Sequence, residues 1–223
     1  MIKRIWYKIK KLAINFHLIP SETDSPEQKK KRDYEYLISH GIETEYGYVT
    51  LLGLPIISKA PNSRIVIGKG VTLVSESKYN TAGINHPCIL STARAGAEII
   101  IDEGSGMSGA SINCATKIVI KKGVGIGANA CIYDHDFHGL EPYYRCNYEL
   151  VKSQPIVIGD FAWIGANSMI LKGVTIGNAA VIGACSVVTS DIPELSLYAG
   201  NPAKFIRKID VDEKKYNEMF CDN

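Results

Sequence analysis

Residues 158–188 read IGDFAWIGANSMILKGVTIGNAAVIGACSVV, and the spacing within them decides the fold. Ile158, Ile164, Ile170, Ile176, Ile182 and Val188 stand six residues apart. Gly follows directly at Gly159, Gly165, Gly177 and Gly183, and a small or β-branched residue recurs four positions after the aliphatic, at Ala162, Ser168, Val174, Ala180 and Ser186. A helix repeats its apolar positions every 3.6 residues and a half-buried strand every two. Six fits neither alone. It fits a short strand followed by a tight turn, with about three such units closing one coil of a three-sided prism. The aliphatic points inward and stacks on its equivalents in neighbouring coils, which lie roughly 4.8 Å apart. The glycine and polar positions turn the corners, where positive φ favours Gly and Asn. Asn129, Asn167 and Asn178 fall at such corners.

The same rhythm extends towards the N-terminus. Ile120, Ile126 and Ile132 share one phase, Ile101 and Met107 are six apart, and Ile67-Gly68 with Leu73 leave a fainter trace. The repeat thus covers roughly residues 62–191. The predicted organisation is an N-terminal cap over 1–61, an all-β parallel β-helix over 62–208, and a short helical tail over 209–223. A helix is expected from Asp33 to His40, after the lysines at 29–31, and irregular strand over 46–58. One interruption, the insertion 133–157, is too long for a coil. It holds the closest histidine pair in the chain, His135 and His138, and is expected to project and carry function.

Composition sets the outer limits. With 46% hydrophobic and 22% charged residues among 223, the chain reads as an ordinary globular protein. A formal net charge of +2, without an Arg-rich stripe interleaved with aromatics, gives no nucleic-acid footprint. The six cysteines, Cys88, Cys114, Cys131, Cys146, Cys185 and Cys221, form no CxxC pair. They read as buried, reduced space-fillers, which suits a cytoplasmic protein, and no metal-ligand spacing is present. Residues 1–16, MIKRIWYKIKKLAINF, alternate apolar and lysine positions at helical spacing. They lack the apolar core of a signal peptide or a spanning helix. Such a helix would pack on the domain or a neighbouring subunit, or lie on an anionic membrane surface. Gly123-Val-Gly-Ile-Gly is better read as two corners of the repeat than as a dinucleotide fingerprint, since no βαβ unit surrounds it.

Pro155-Ile-Val-Ile-Gly-Asp-Phe-Ala-Trp-Ile-Gly-Ala, Gly173-Val-Thr-Ile-Gly, Val181-Ile-Gly-Ala and Gly200-Asn-Pro-Ala-Lys carry a resemblance to the hexapeptide-repeat acyltransferases. The chain is similar to the maltose and galactoside O-acetyltransferases and to O-acetyltransferases of capsule and O-antigen clusters, over residues 62–208. The resemblance implies a left-handed parallel β-helix and a homotrimer with active sites between prisms. It also implies acetyl-CoA as co-substrate in the groove between subunits, a sugar or glycan acceptor, and a catalytic histidine in the extended loop. By its distance from Pro155, His138 is the favoured base and His135 the second candidate. Asp134 or Asp136 would orient the ring. Trp163 would contact the acyl donor and Asn113 would lie near the acetyl group. Amide contacts to pantetheine fall at Ala166 and Ala184, further contacts at Thr189 and Ser190, and phosphate contacts at Lys204 and Arg207. Residues 1–61 match nothing in the resemblance, so the acceptor does not carry over.

The chemistry needs only a base for the hydroxyl proton, donors for the developing oxyanion, and two substrates held together. An amine on an amino sugar or antibiotic would be served by the same base. A zinc hydratase on the same prism would need a third histidine, and His86 in Asn85-His86-Pro87 is the remaining candidate.

Overall fold

A computed structural model describes residues 24–219; the helix expected over 1–16 and Cys221 lie outside the described residues. Strands are numbered in chain order. An eight-stranded sheet contains β1 (Thr50–Leu52), β4 (Thr72–Val74), β7 (Gly106–Ser108), β10 (Gly125–Ile126), β13 (Trp163–Ile164), β16 (Val181–Ile182), β18 (Ser196–Ala199) and β19 (Lys204–Lys208). A six-stranded sheet contains β2 (Ile56–Ser58), β5 (Ile89–Thr92), β8 (Ser111–Cys114), β11 (Cys131–Tyr133), β14 (Met169–Leu171) and β17 (Val187–Val188). A five-stranded sheet contains β3 (Arg64–Ile67), β6 (Glu98–Ile101), β9 (Lys117–Ile120), β12 (Ile156–Ile158) and β15 (Thr175–Ile176). Each of β1 to β14 pairs in parallel with the strand three later in sequence, and β16 pairs in parallel with β18, so the chain winds as a three-sided parallel β-helix. The last strand, β19, instead returns antiparallel along β18.

The core is built of stacked aliphatic columns. Ile65, Ile99, Ile118 and Ile156 line the five-stranded face; Leu73, Ile164 and Ile182 the eight-stranded; Leu90, Ile112, Ile132, Ile170 and Val188 the six-stranded. All are fully buried, and the five-stranded face has a second column, formed by the buried Ile67, Ile101, Ile120, Ile158 and Ile176. Identical registers in successive coils make these columns, with Ile132 opposite both Ile112 and Ile170.

The corners separate two roles that the repeat pattern merges. The glycine after each aliphatic does not have positive φ. It is required by close approach: a Cβ at Gly127, Gly165 or Gly177 would lie 2.6, 2.5 or 2.3 Å from the backbone nitrogen of the next coil. The left-handed residue comes two positions later, at Asn129 (φ 60°), Phe161 (58°), Asn167 (58°), Ala179 (50°) and Cys185 (59°). Asn178 is therefore not the left-handed residue of its corner; Ala179 is. The Asn178 side chain instead accepts from the Asp160 N–H at 2.9 Å.

Parallel pairing begins before the legible repeat. β1 and β2 pair with β4 and β5, and Glu43 bridges Val66, so residues 43–58 form a first coil beneath the hexads. Helix α1 (Pro26–Ser39) starts earlier than expected because Ser25 and Gln28 form a capping box and Pro26 occupies the first turn. The lysines at 29–31 lie inside it. Lys29 reaches the Leu51 carbonyl and Asp33, and the buried Arg32 pairs with Asp24 and Asp33. Leu37 from α1 joins the core beside Leu51. A short helix α2 (Glu213–Glu218), capped by Asp212, ends the described chain. No helix of the described residues is long and apolar enough to cross a membrane.

Two segments leave the prism. Residues 75–88 bulge between β4 and β5. Residues 134–155 leave between β11 and β12 and carry two 3-10 turns, Pro142–Tyr144 and Tyr148–Leu150. The cysteines divide: Cys88 and Cys114 are buried as expected, Cys131 is half-buried, and Cys146 and Cys185 are exposed, one on the long arm and one at a corner where its side chain points to solvent.

Candidate active site

Strand β11 delivers the site. Tyr133 lies opposite Asn113 of β8, and the next residue, Asp134, ends the strand fully buried. Its carboxylate closes the turn after β8. It accepts from the backbone N–H groups of Ala115 (2.6 Å), Thr116 (2.7 Å) and Lys117 (2.9 Å), and from the Cys114 thiol (3.3 Å). The His135 ring nitrogen Nδ1 lies 3.1 Å from the Asp134 Oδ1. Burial alone would push the Asp134 carboxyl up, but the His135 and backbone hydrogen bonds outweigh it and hold it below the usual carboxylate range. The same surroundings push the Cys114 thiol well up, by burial first and by the Asp134 charge second.

With an ionised carboxylate at Nδ1, the proton belongs on Nδ1 and the lone pair on Nε2. His135 is 8% exposed and lines a cavity of about 350 Å3 with Ala93, Arg94, Asn113, Phe137, Tyr148 and Val151. The Asn113 Oδ1 is buried there and has no hydrogen-bond partner among the described residues. Phe137 packs its ring 4.4 Å from that of His135 and 5.0 Å from that of Tyr133, and its backbone is left-handed at φ 61°. The arm is stapled to the prism around the imidazole. Gln154 N–H donates to the Asp134 carbonyl at 2.8 Å, His135 bridges Ser153, and Thr116 Oγ1 meets Ser153 Oγ at 2.8 Å.

His138 sits further out. It is exposed, its Nδ1 meets the Arg145 carbonyl at 3.1 Å, and it does not line the cavity. Asp136 pairs with Lys172 and hydrogen-bonds neither imidazole through its carboxylate. His86 belongs to the 75–88 bulge, at a different corner, with its Nδ1 2.8 Å from the Pro87 carbonyl. That bulge is clamped by Asn129, which accepts from Asn85 N–H (2.8 Å) and donates to the Gly83 carbonyl (3.0 Å). Among the described residues no three His, Cys, Asp or Glu side chains come close enough to share a metal ion.

Of the expected donor-binding residues, Asn113 lies in the His135 cavity, and Thr189 and Ser190 stand at the corner that Asp134 occupies two coils earlier, whereas Trp163, Ala166, Ala184, Lys204 and Arg207 lie on the eight-stranded sheet or the corner after it. Trp163, on β13, is 57% exposed and lies over Gly125, where a Cβ would come within 2.6 Å of its ring. Ala166 and Ala184 occupy the same corner of successive coils, and neither N–H donates to an acceptor among the described residues. Thr189 and Ser190 follow β17 and are exposed. Lys204 and Arg207 lie opposite Ala199 and Leu197, two residues apart, because a bulge falls between. The bulge puts both cations on one side of the strand, where three-residue spacing alone would split them. The structure thus gathers Asp134, His135 and Asn113 at one corner, and Trp163, Ala166 and Ala184 along another edge of the same chain. Arg94, Phe137, Tyr148 and Val151 join the first group without any motif to mark them; the one signal was a cation in the small-residue turn Ala93-Arg94-Ala95-Gly96.

Residues 155–190 match the bacterial transferase hexapeptide family (six repeats). A provisionally named acetyltransferase of Staphylococcus aureus is 53% identical over 75 residues, 34% of this chain and 37% of that protein. The galactoside O-acetyltransferase of Escherichia coli is 46% identical over 79 residues, 35% of this chain and 38% of that protein. The matches therefore span under two fifths of each relative's length. Among solved structures, the N-acyltransferase AntD from Bacillus cereus, in complex with dTDP and 3-hydroxybutyryl-CoA, superposes with a TM-score of 0.64 at 20% identity, over 84% of this chain and 94% of that one. A galactoside acetyltransferase in complex with coenzyme A gives 0.50 at 26% identity, over 92% and 80%.

Proposed function

We propose that this chain, which carries the bacterial transferase hexapeptide repeat, is an acyltransferase that moves an acetyl group from acetyl-CoA to a hydroxyl of a sugar or glycan, on a left-handed β-helix. The observation that carries the reading is the Asp134–His135 pair, with the imidazole Nε2 left as an acceptor in a cavity beside Asn113.

The reaction follows from that geometry. His135 Nε2 takes the proton of the acceptor hydroxyl as its oxygen attacks the thioester carbonyl. Asp134 stays ionised and steadies the imidazolium, as well as fixing which nitrogen is free. When the tetrahedral centre collapses, Nε2 returns the proton to the departing thiolate, leaving an acetyl ester and free CoA. The unpaired amides of Ala166 and Ala184 suit the pantetheine arm, Trp163 offers an exposed aromatic face, and Lys204 and Arg207 supply cations for the phosphates. Because the imidazole and the donor group sit on different edges of one prism, a complete site needs a neighbouring chain, and we assign a homotrimer.

His135 takes precedence over His138 because it is buried, oriented by a carboxylate and in the cavity; His138 has none of these. The test is CoA-thiol release on a panel of hydroxyl and amine acceptors. His135→Ala should lower kcat by about 10²- to 10⁴-fold with acetyl-CoA affinity unchanged. His138→Ala should cost less than about tenfold. The reverse ranking would move the base to His138. Release on amino sugars alone would change the acceptor class to an amine. No release on any acceptor would remove the acyltransferase reading.

A further inference from the structure

The cavity that holds the imidazole contains a cation and no anion. Arg94 comes from the turn between β5 and β6 and reaches under the arm. Its Nη2 donates to the carbonyls of Tyr148 (2.7 Å) and Val151 (2.8 Å), and its Nη1 lies 3.4 Å from Ser153 Oγ. No carboxylate pairs with it among the described residues. The two nearest in sequence to the imidazole are committed elsewhere: Asp134 to backbone amides and His135, Asp136 to Lys172.

Peptide carbonyls offset part of a guanidinium's charge but cannot neutralise it. A cation half withdrawn from water is costly unless an anion joins it. Arginine also presents five donors in a planar fork, and the contacts above leave Nε and part of Nη1 unspent. An oxyanion entering the cavity would meet that fork within the same small volume as His135. Phe137 and Tyr148 supply apolar walls for the rest of the molecule.

We propose that Arg94 selects an acceptor bearing an oxyanion close to the hydroxyl that is acylated: an acidic sugar carrying a carboxylate, or a sugar carrying a phosphate. This rests on the acyltransferase reading for its chemistry, while the recognition itself can be measured without turnover.

The experiment pairs acceptors that differ only in charge: a glucuronide with the matching glucoside, a galacturonide with the galactoside, and glucose 1-phosphate with methyl glucoside. CoA-thiol release gives kcat/KM, and a thermal-shift titration of each sugar gives binding alone. Wild type should favour the charged member of at least one pair by about tenfold or more. Arg94→Gln should lose about 10- to 150-fold more on the charged member than on its neutral partner, the range of a charge-assisted hydrogen bond. Arg94→Lys, which keeps the charge, should recover part of the preference and serves as the folding control. The pair that responds identifies carboxylate or phosphate. Indifference of the wild type to charge, or an equal loss on both members in Arg94→Gln, would overturn the proposal and leave Arg94 as a tie between arm and prism. If no acceptor releases thiol yet charged sugars still bind in an Arg94-dependent way, the reaction reading falls and the recognition stands.

Discussion

At the scale of single residues, Asp134 does two jobs with one carboxylate. It closes the turn at Ala115–Lys117 and orients His135. Its folded-state pKa is depressed, so its stabilisation is present above the ordinary carboxylate pKa and is lost as pH falls through the depressed folded value. Asp134→Asn should therefore lower stability by about 1.5–3 kcal/mol near neutral pH, with the gap to wild type narrowing below about pH 4. Thermal melts from pH 3 to 7 check this; a constant gap would show that charge is not what holds the turn. The sequence made both histidines and both aspartates visible but left the aspartates unranked. Counting back from Pro155 favours His138. The geometry favours His135, because a residue two past the end of β11 is still held by the ladder, whereas His138 has already left it. Arg94 was marked only as a cation in a small-residue turn, since its partners are carbonyls of residues more than fifty positions away.

At the scale of elements, the aliphatic period was fully legible because each inward position must fill the same slot in every coil. The reason for its glycines was not, since close approach between coils is a contact across eighteen or so residues that local turn rules do not see. This makes a sharp expectation. Gly165 has an ordinary φ, so a turn-based account predicts that alanine is tolerated there. The stacking account puts the new Cβ 2.5 Å from the Ala184 nitrogen. Gly165→Ala should destabilise by about 1–3 kcal/mol, read as a lowered Tm. An unchanged Tm would mean the coils can separate freely at this corner. Helix α1 shows the opposite case: its capping box Ser25-x-x-Gln28 was available in the sequence, but the lysine run masked it; of that run Lys29 turns towards β1, while Lys30 and Lys31 face solvent.

At the scale of the whole molecule, the first coil over residues 43–58 carries no hexad pattern and is defined only by its pairing with β4, β5 and Val66. Pairing of that kind is non-local, so the prism's lower boundary was invisible in the sequence. The separation of His135 from Trp163 has a direct consequence for the assembled protein. If each site takes its base from one chain and its donor surface from another, His135→Ala and Trp163→Ala chains should each be nearly inactive alone. Co-refolded in equal amounts, they should form mixed trimers that regain a substantial fraction of wild-type activity, because some interfaces then combine two intact halves. Size-exclusion chromatography with light scattering would report three copies. Failure of the mixture to regain activity would place both residues in one chain's site.

The reversed strand β19 has its own consequence. Parallel coils stacked at a fixed spacing offer any second copy a matching row of amides and carbonyls, the geometry from which fibres grow. Here the row is met by a strand running the other way, exposed along all five residues, three of them basic at Lys204, Arg207 and Lys208. An arriving copy finds the wrong polarity and like charge together at this edge, which disfavours stacking of a second copy on the eight-stranded sheet.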